Sequence, residues 1–408
     1  MRALSVLALS ALAVFGQTGM RDRYFARYPF DQWLNEPDRA QIKWEARVYP
    51  AKLSAHQRLA ARIEIFLDAR EVGKRRGRGE FVTLLRVEDS AGKIWRAHNV
   101  YDLSLIPADA KAVPLMYAQD VFLLPGDYKI AMATCDSITR EYSFTRRTLH
   151  VGELKADALA QSDRDLPAVE FVRPLDAPDS WFQPYIRGRL RVGVPTTRPV
   201  HVDLVMNITP SERASGSLRI FRRNMSVLVP ALKILAGMEV PNGSLDVTLL
   251  DLTRQKTWEQ IGARGLDWKK MREPLADAQP GVIDAQSLAA KAGMARFFRD
   301  QVLVRATAAR DRDELSIVIV LSAPAFLDRQ LRLEPAALER DPNRRIFYLR
   351  YRPVFLHPVA DGSVAAPPLP SDDLEHALKT LDARVLTASS PEEFRKAVAA
   401  MLSDIGKM

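Results

Sequence analysis

The segment Leu315 to Leu321, Leu-Ser-Ile-Val-Ile-Val-Leu, is apolar on nearly every position. A strand with no polar face needs cover on both sides, which favours a parallel sheet with helices on each face. The flanking sequence fits that demand from His201 onward, where strand-like and helix-like runs alternate. His201 to Ile208 reads as a buried strand, Met225 to Gly237 as a helix region, and Leu245 to Leu252 and Thr257 to Ile261 as further strands. Pro230 implies that the first helix starts near Val229 or kinks there. Asp284 is placed to cap a helix reaching Phe298, with Leu288, Ala292, Ala295 and Phe298 inward. Arg345 to Arg350, a short helix from Asp373 to Leu381 and a last strand from Arg384 to Thr387 follow. Ser390-Pro391-Glu392-Glu393 then supplies an N-cap serine, a proline in the first helical position and a glutamate three residues on, a capping box. Phe394, Val398, Met401, Leu402 and Ile405 continue at helical spacing, so this helix covers the sheet.

The chain before residue 151 follows a different period. Ile42, Trp44, Ala46 and Val48 alternate with Lys43, Glu45 and Arg47, and Leu59, Ala61, Ile63, Ile65 and Leu67 repeat the pattern. Phe81 to Val87, Lys93 to Arg96, Met116 to Leu124, Tyr128 to Cys135 and Tyr142 to Val151 add five more runs. Short alternating strands separated by turn signals indicate an antiparallel β-sandwich over residues 41–151. Pro125-Gly126-Asp127-Tyr128 resembles the tyrosine corner of immunoglobulin-like sandwiches, although Ile130 stands where the disulfide-bonded subclass has cysteine. Residues 152–198 form a proline-interrupted connector, in which Val169 to Val172 and Gly188 to Val194 can add strands to either neighbour.

Length and composition set the class. At 408 residues, 47% hydrophobic and 27% charged, the chain has room for two or three domains with packed cores, and neither disorder nor a multi-span membrane protein fits. Arg2 precedes an uncharged apolar stretch, Ala3 to Phe15, too short to cross a bilayer; with Gly16 before Gln17 it reads as a secretory signal peptide over residues 1–16. The mature chain is expected to be secreted or periplasmic, without a transmembrane span. Cys135 is the single cysteine, so no intramolecular disulfide forms and the side chain reads as a small buried apolar group. The net charge of +9 is dispersed, and no aromatic interleaving marks a nucleic-acid surface. Its densest cluster, Gly73 to Gly79 around Lys74, Arg75, Arg76 and Arg78, reads as a solvated hairpin loop.

Catalytic signatures are thin. His56, His98, His150, His201, His357 and His376 are scattered, without the spacing of a zinc site, and no nucleophile elbow or phosphate-binding loop occurs. Asp372-Asp373 and Asp311 to Glu314 fall at element starts, where capping accounts for them. The reading is therefore a non-enzyme with no cofactor.

The order of elements from 199 to 408 resembles the von Willebrand factor A-type domain, in the form that exported bacterial proteins join to an N-terminal β-sandwich. The strand His201 to Ile208, the pair Leu245 to Leu252 and Thr257 to Ile261, the helix end Phe297-Phe298-Arg299-Asp300 before Leu315 to Leu321, and the helix start Ser390 to Phe394 carry the likeness. The resemblance implies a multidomain fold: an immunoglobulin-like sandwich followed by a doubly wound α/β domain. It also implies a metal-ion-dependent adhesion site, Asp-x-Ser-x-Ser after the first strand, completed by a later threonine and aspartate.

In this sequence the motif departs from that pattern. The first strand ends Asn207-Ile208-Thr209-Pro210-Ser211, so hydroxyls persist at Thr209 and Ser211 while the carboxylate position holds neutral Asn207. The central strand runs into Ser322-Ala323-Pro324, with no carboxylate before Asp328, and Gln286 and Ser287 are the nearest stand-ins for the threonine. A hard cation needs anionic oxygen to offset its dehydration, so the site is expected to be degenerate and metal-free. Asn207, Thr209, Ser211 and Ser322 are the candidate binding residues, on a loop edge spanning 207–217 and 322–328 that meets a protein partner. A structural role in the cell envelope and a hydrolase with a site invisible in sequence are the alternatives.

Overall fold

The computed structural model describes residues 18–107, 113–159, 162–172, 186–209, 218–240, 242–278, 293–311, 313–327, 338–352 and 371–408. The expected signal peptide, Ser211, Asp284 to Ala292, Asp328 and His357 lie outside the described residues. Three sheets organise the molecule, and most strand pairs in it are antiparallel.

The first two sheets face each other. One has the order β1–β9–β8–β5–β6, from β1 (Arg39–Ala40), β5 (Glu80–Asp89), β6 (Ile94–Asp102), β8 (Gly126–Asp136) and β9 (Tyr142–Val151). The other has the order β10–β7–β4–β2, from β2 (Trp44–Val48), β4 (Leu59–Leu67), β7 (Leu115–Leu123) and β10 (Val169–Phe171), with β3 (Lys52–Leu53) paired to β4. Ile63, Ile65, Leu85, Val121, Ile130 and Met132 fill the space between them. The alternation read from sequence is the inward and outward alternation of these strands. Tyr128 closes the corner as expected, its hydroxyl donating to Leu124 O at 2.8 Å.

Three features of this half depart from the sequence reading. The sandwich extends past 41–151, because Val169–Phe171 of the expected connector pairs with Leu123 to Val121. Two helices, α1 (Thr18–Arg27) and α2 (Phe30–Trp33), cover the outer face of the first sheet, where Phe25, Tyr28, Phe30 and Trp33 pack on Val82, Leu84, Ala133, Cys135 and Phe144. The basic segment is a loop only in its second half, where Gly77 and Gly79 take positive φ and Arg78 is exposed; its first half is helical. Ala69–Arg75 forms helix α3, capped by the Asp68 side chain, and Arg75 is buried against Glu71, Asp136 and Glu141. Three carboxylates, one a helical turn away and two from distant positions, make that burial tolerable.

The third sheet has the order β13–β12–β11–β14–β15–β16, from β11 (Val200–Asn207), β12 (Ser244–Asp251), β13 (Lys256–Gln260), β14 (Leu315–Ser322), β15 (Arg344–Tyr351) and β16 (Arg384–Ala388). All neighbours are parallel except the edge strand β13. Every residue of β11 and β14 is buried. Helices α4 (Leu218–Leu235) and α8 (Pro391–Ile405) pack on one face through Leu228, Leu232, Phe394 and Met401. Helices α6 (Met294–Ala306) and α7 (Asp373–Lys379) pack on the other through Phe298, Val302, Leu374 and Leu378. A further helix, α5 (Trp268–Asp277), follows β13 with Asp267 as its cap.

Pro230 neither starts nor ends α4, which begins twelve residues earlier at Leu218 and runs through it. Burial of Leu228, Val229, Ala231 and Leu232 on the sheet outweighs the hydrogen bond that proline removes. The capping box at α8 is formed on one side as expected, Ser390 Oγ accepting from Glu393 N at 3.2 Å. The return arm reaches one residue further, with Glu393 Oε2 accepting from Ser389 N at 2.7 Å.

The two halves are joined by more than the connector. Gln57, at the β3–β4 turn with φ 58, donates from Nε2 to Pro391 O at 2.9 Å. Arg395, one turn into α8 and 4% exposed, donates to Gln57 O at 3.3 Å, to Asp157 Oδ1 and Oδ2 at 2.5 and 2.7 Å, and to Ser162 Oγ at 3.1 Å. One guanidinium thus ties the sandwich hairpin, the connector and the closing helix, and those bonds hold the Asp157 carboxyl below its usual range. No helix among the described residues is long and apolar enough to cross a membrane.

Candidate functional site

In a parallel sheet the strands deliver their C-terminal ends to one edge, where the connecting loops form the usual place for a ligand. The register Asn207 to Leu250 and Met206 to Leu321 brings the ends of β11, β12 and β14 together there. Asn207 and Thr209, at the end of β11, lie here beside Ser322, at the end of β14.

Their polar atoms turn inward. Asn207 Nδ2 donates to Ser322 Oγ at 3.0 Å, and Asn207 Oδ1 accepts from Thr209 N at 3.0 Å. Thr209 Oγ1 accepts from Leu252 N at 2.6 Å, while Ser322 Oγ donates to Ala323 O at 2.5 Å. Asn207 is 3% exposed, Thr209 8% and Ser322 0%. The side chains therefore stitch β11 to the ends of β12 and β14. Their geometry suits local capping of backbone, which an asparagine or threonine supplies as readily as a ligand contact.

Further residues, none of them a site candidate from sequence, extend this corner. The Tyr348 hydroxyl, on β15, touches Ser322 and donates to Asp372 Oδ2 at 3.1 Å. Asp372 is fully buried and caps α7, its Oδ1 accepting from Glu375 N at 2.8 Å. Arg350 lies 3.9 Å from the same carboxylate and donates to Glu375 Oε2 at 2.6 Å. Burial raises the Asp372 carboxyl to about 6, against the opposing pull of the Glu375 N–H, Tyr348 and Arg350. Next to Asn207, Asp251 ends β12 with both oxygens on Arg254, at 3.1 Å from its N and 2.8 Å from Nη1. At this corner Asp251, Asp372 and Glu375 each have a protein partner. Capping was legible for Asp372. Its link through Tyr348 to Ser322 depends on the β14–β15 register, which the sequence does not display.

The described histidines do not share a site. His56 stacks edge-on to Phe122, His98 lies against Tyr24, His150 pairs with Asp127 on the surface, and His376 bonds Asp372 O. His201 lies at the opposite end of β11, its Nδ1 2.7 Å from Ser244 Oγ.

No protein-family model and no curated protein matches the chain. Among solved structures, a Bordetella pertussis protein described as a candidate ApaA aligns over 28% of this chain and 97% of its own, at 7% identity and a TM-score of 0.17. A glycosyl hydrolase family 2 member from Bacteroides cellulosilyticus aligns over 83% of this chain and 36% of its own, at 10% identity and a TM-score of 0.19. Similarity at this level informs neither fold nor activity.

Proposed function

We propose that the chain is a non-catalytic protein-interaction module of an exported bacterial protein. In this reading an N-terminal sandwich carries a C-terminal von Willebrand factor A-type domain over 199–408 whose adhesion site is degenerate. The sheet order, with one antiparallel edge strand and helices on both faces, is compatible with that domain. The observation that carries the functional reading is the bonding of Asn207. The residue at the carboxylate position of the motif is neutral, and both ends of its amide are engaged within the protein. Thr209 Oγ1 is likewise committed to the Leu252 N–H. A magnesium ion would have to displace these bonds while gaining no formal negative charge from Asn207 or Thr209. The edge then meets its partner through loop surface alone.

Titration calorimetry with magnesium, on wild type and Thr209→Ala, tests the reading. No saturable heat is expected at millimolar magnesium in either protein. Stoichiometric binding in the wild type that Thr209→Ala abolishes would overturn it.

A further inference from the structure

The N-terminal end of the same sheet holds the opposite kind of chemistry. His201 and Asp203, two apart on β11, point to one face. Asp246 on β12 is the register partner of Asp203, and Ser244 that of His201. Gly243 makes this alignment possible: a Cβ there would lie 1.8 Å from Val200 O, so only glycine lets β12 begin this close to β11. The result is a group in which one nitrogen and two carboxylate oxygens all lie within 4.8 Å of one another.

We propose that His201, Asp203 and Asp246 form a site for a divalent transition metal, zinc fitting best. His201 Nε2 lies 3.3 Å from Asp203 Oδ2 and 3.6 Å from Asp246 Oδ2. Two atoms each about 2.0–2.1 Å from a shared zinc at tetrahedral angles are about 3.4 Å apart. The second observation is the state of the imidazole. His201 is 4% exposed, and its Nε2 has no hydrogen-bond partner although it faces both carboxylates. Its Nδ1 is bonded to Ser244 Oγ, the outer contact that fixes ring orientation in metal-bound histidines. Asp246 is held likewise, Oδ1 accepting from Gly262 N at 2.8 Å and leaving Oδ2 turned toward the ring.

Asp203 and Asp246 bring two formal negative charges to the group, of which Arg310, donating to Asp203 Oδ2 at 3.2 Å, offsets one, and a metal here takes Asp203 Oδ2 in place of that guanidinium. A cleft of about 310 Å³ is lined in part by Arg310 and Ser316, which border the group, while His201, Asp203 and Asp246 themselves stay behind its wall. Ser316 is the register partner of His201 on β14, and its buried hydroxyl has no hydrogen-bond partner. The donor set favours zinc over magnesium, because an imidazole nitrogen suits a borderline-soft ion and magnesium requires an octahedron of oxygens.

The test uses the full chain, stripped with chelator and dialysed, in calorimetry with zinc chloride at pH 7. One zinc per chain is expected, together with a higher melting temperature. Asp246→Asn and His201→Asn should each weaken binding by at least the roughly 100-fold that losing an outer contact can cost, while unfolding of the zinc-free variants shows that the fold persists. Cobalt should give the intense visible bands of a four-coordinate ion in wild type and lose them in Asp246→Asn. Absence of stoichiometric zinc in wild type, or binding that survives unchanged in both variants, would overturn the proposal and leave the group an ion-paired cluster.

Discussion

The two ends of β11 sit in one sheet, seven residues apart, and dispose of their polar atoms in opposite ways. At the C-terminal end Asn207, Thr209 and Ser322 carry no formal charge, and their hydrogen bonds run to one another and to nearby backbone. At the N-terminal end His201, Asp203 and Asp246 gather charge, and a buried ring nitrogen stays without a hydrogen bond. The edge that usually serves ligands in such sheets is the self-satisfied one. The contrast teaches that topology nominates an edge, whereas the fate of individual lone pairs decides which edge can hold a ligand.

Removing one member of the charged end should have the largest effect. Asp203→Ala leaves Arg310 and His201 without their shared carboxylate, a loss of about 3–5 kcal/mol for a buried ion pair, readable by urea denaturation of the zinc-free chain. A change under about 1 kcal/mol would mean that the group behaves as exposed charge, and the contrast would fail.

The next effect belongs to the other end and depends on pH. The Asp372 carboxyl, raised from 3.8 to about 6 in the fold, holds a proton that the unfolded chain releases. Its contribution is therefore fully present below about pH 4 and declines as pH climbs to about 6, by about 3 kcal/mol for a two-unit shift. Asp372→Asn keeps an oxygen for the Glu375 N–H and should flatten that slope in denaturation curves taken from pH 4 to 7. A slope unchanged by the substitution would place the titration elsewhere.

Asn207→Asp sharpens the comparison by moving charge to the neutral end. It replaces the donor to Ser322 with a buried anion, and a loss of about 2 kcal/mol is expected without metal. Millimolar magnesium should restore part of that loss if the loop edge retains the shape of an ion site, as a melting-temperature rise would report. The smallest effect is that of Thr209→Val, which leaves the Leu252 N–H unpaired at a cost of about 1–2 kcal/mol. Thermal unfolding checks it, and no change at all would show that the threonine does not seal the corner.

Sequence made the strand Leu315–Ser322, the Ser390 cap and the Tyr128 corner legible, because each rests on neighbours within a few residues. Helices α1 and α2 were not read, yet their trace was present in β8. Ala131, Ala133 and Cys135 are apolar on one face while Ile130 and Met132 are apolar on the other, so a strand read as alternating is covered on both sides. Only the last turn of α3 falls in the segment that reads as a loop, Gly73 to Gly79, and the burial of Arg75 there is not legible because two of its three partners, Asp136 and Glu141, lie some sixty residues on. At the candidate sites, His201 and Asp203 announce a shared face by their spacing. Asp246 joins them only through the β11–β12 register, just as Tyr348 reaches Ser322 only through that of β14 and β15.

The Arg395 contact bears on how the molecule comes apart. Its guanidinium is neutralised by Asp157 of the connector and seated on the Gln57 carbonyl, so parting the halves breaks the Gln57 contact and, where Asp157 leaves with the sandwich, bares a buried cation. A protease that severs the stretch between the halves cuts the covalent thread but not this clasp. The two fragments should then migrate as one particle, and the pieces seen after denaturation would not be the units that work in solution.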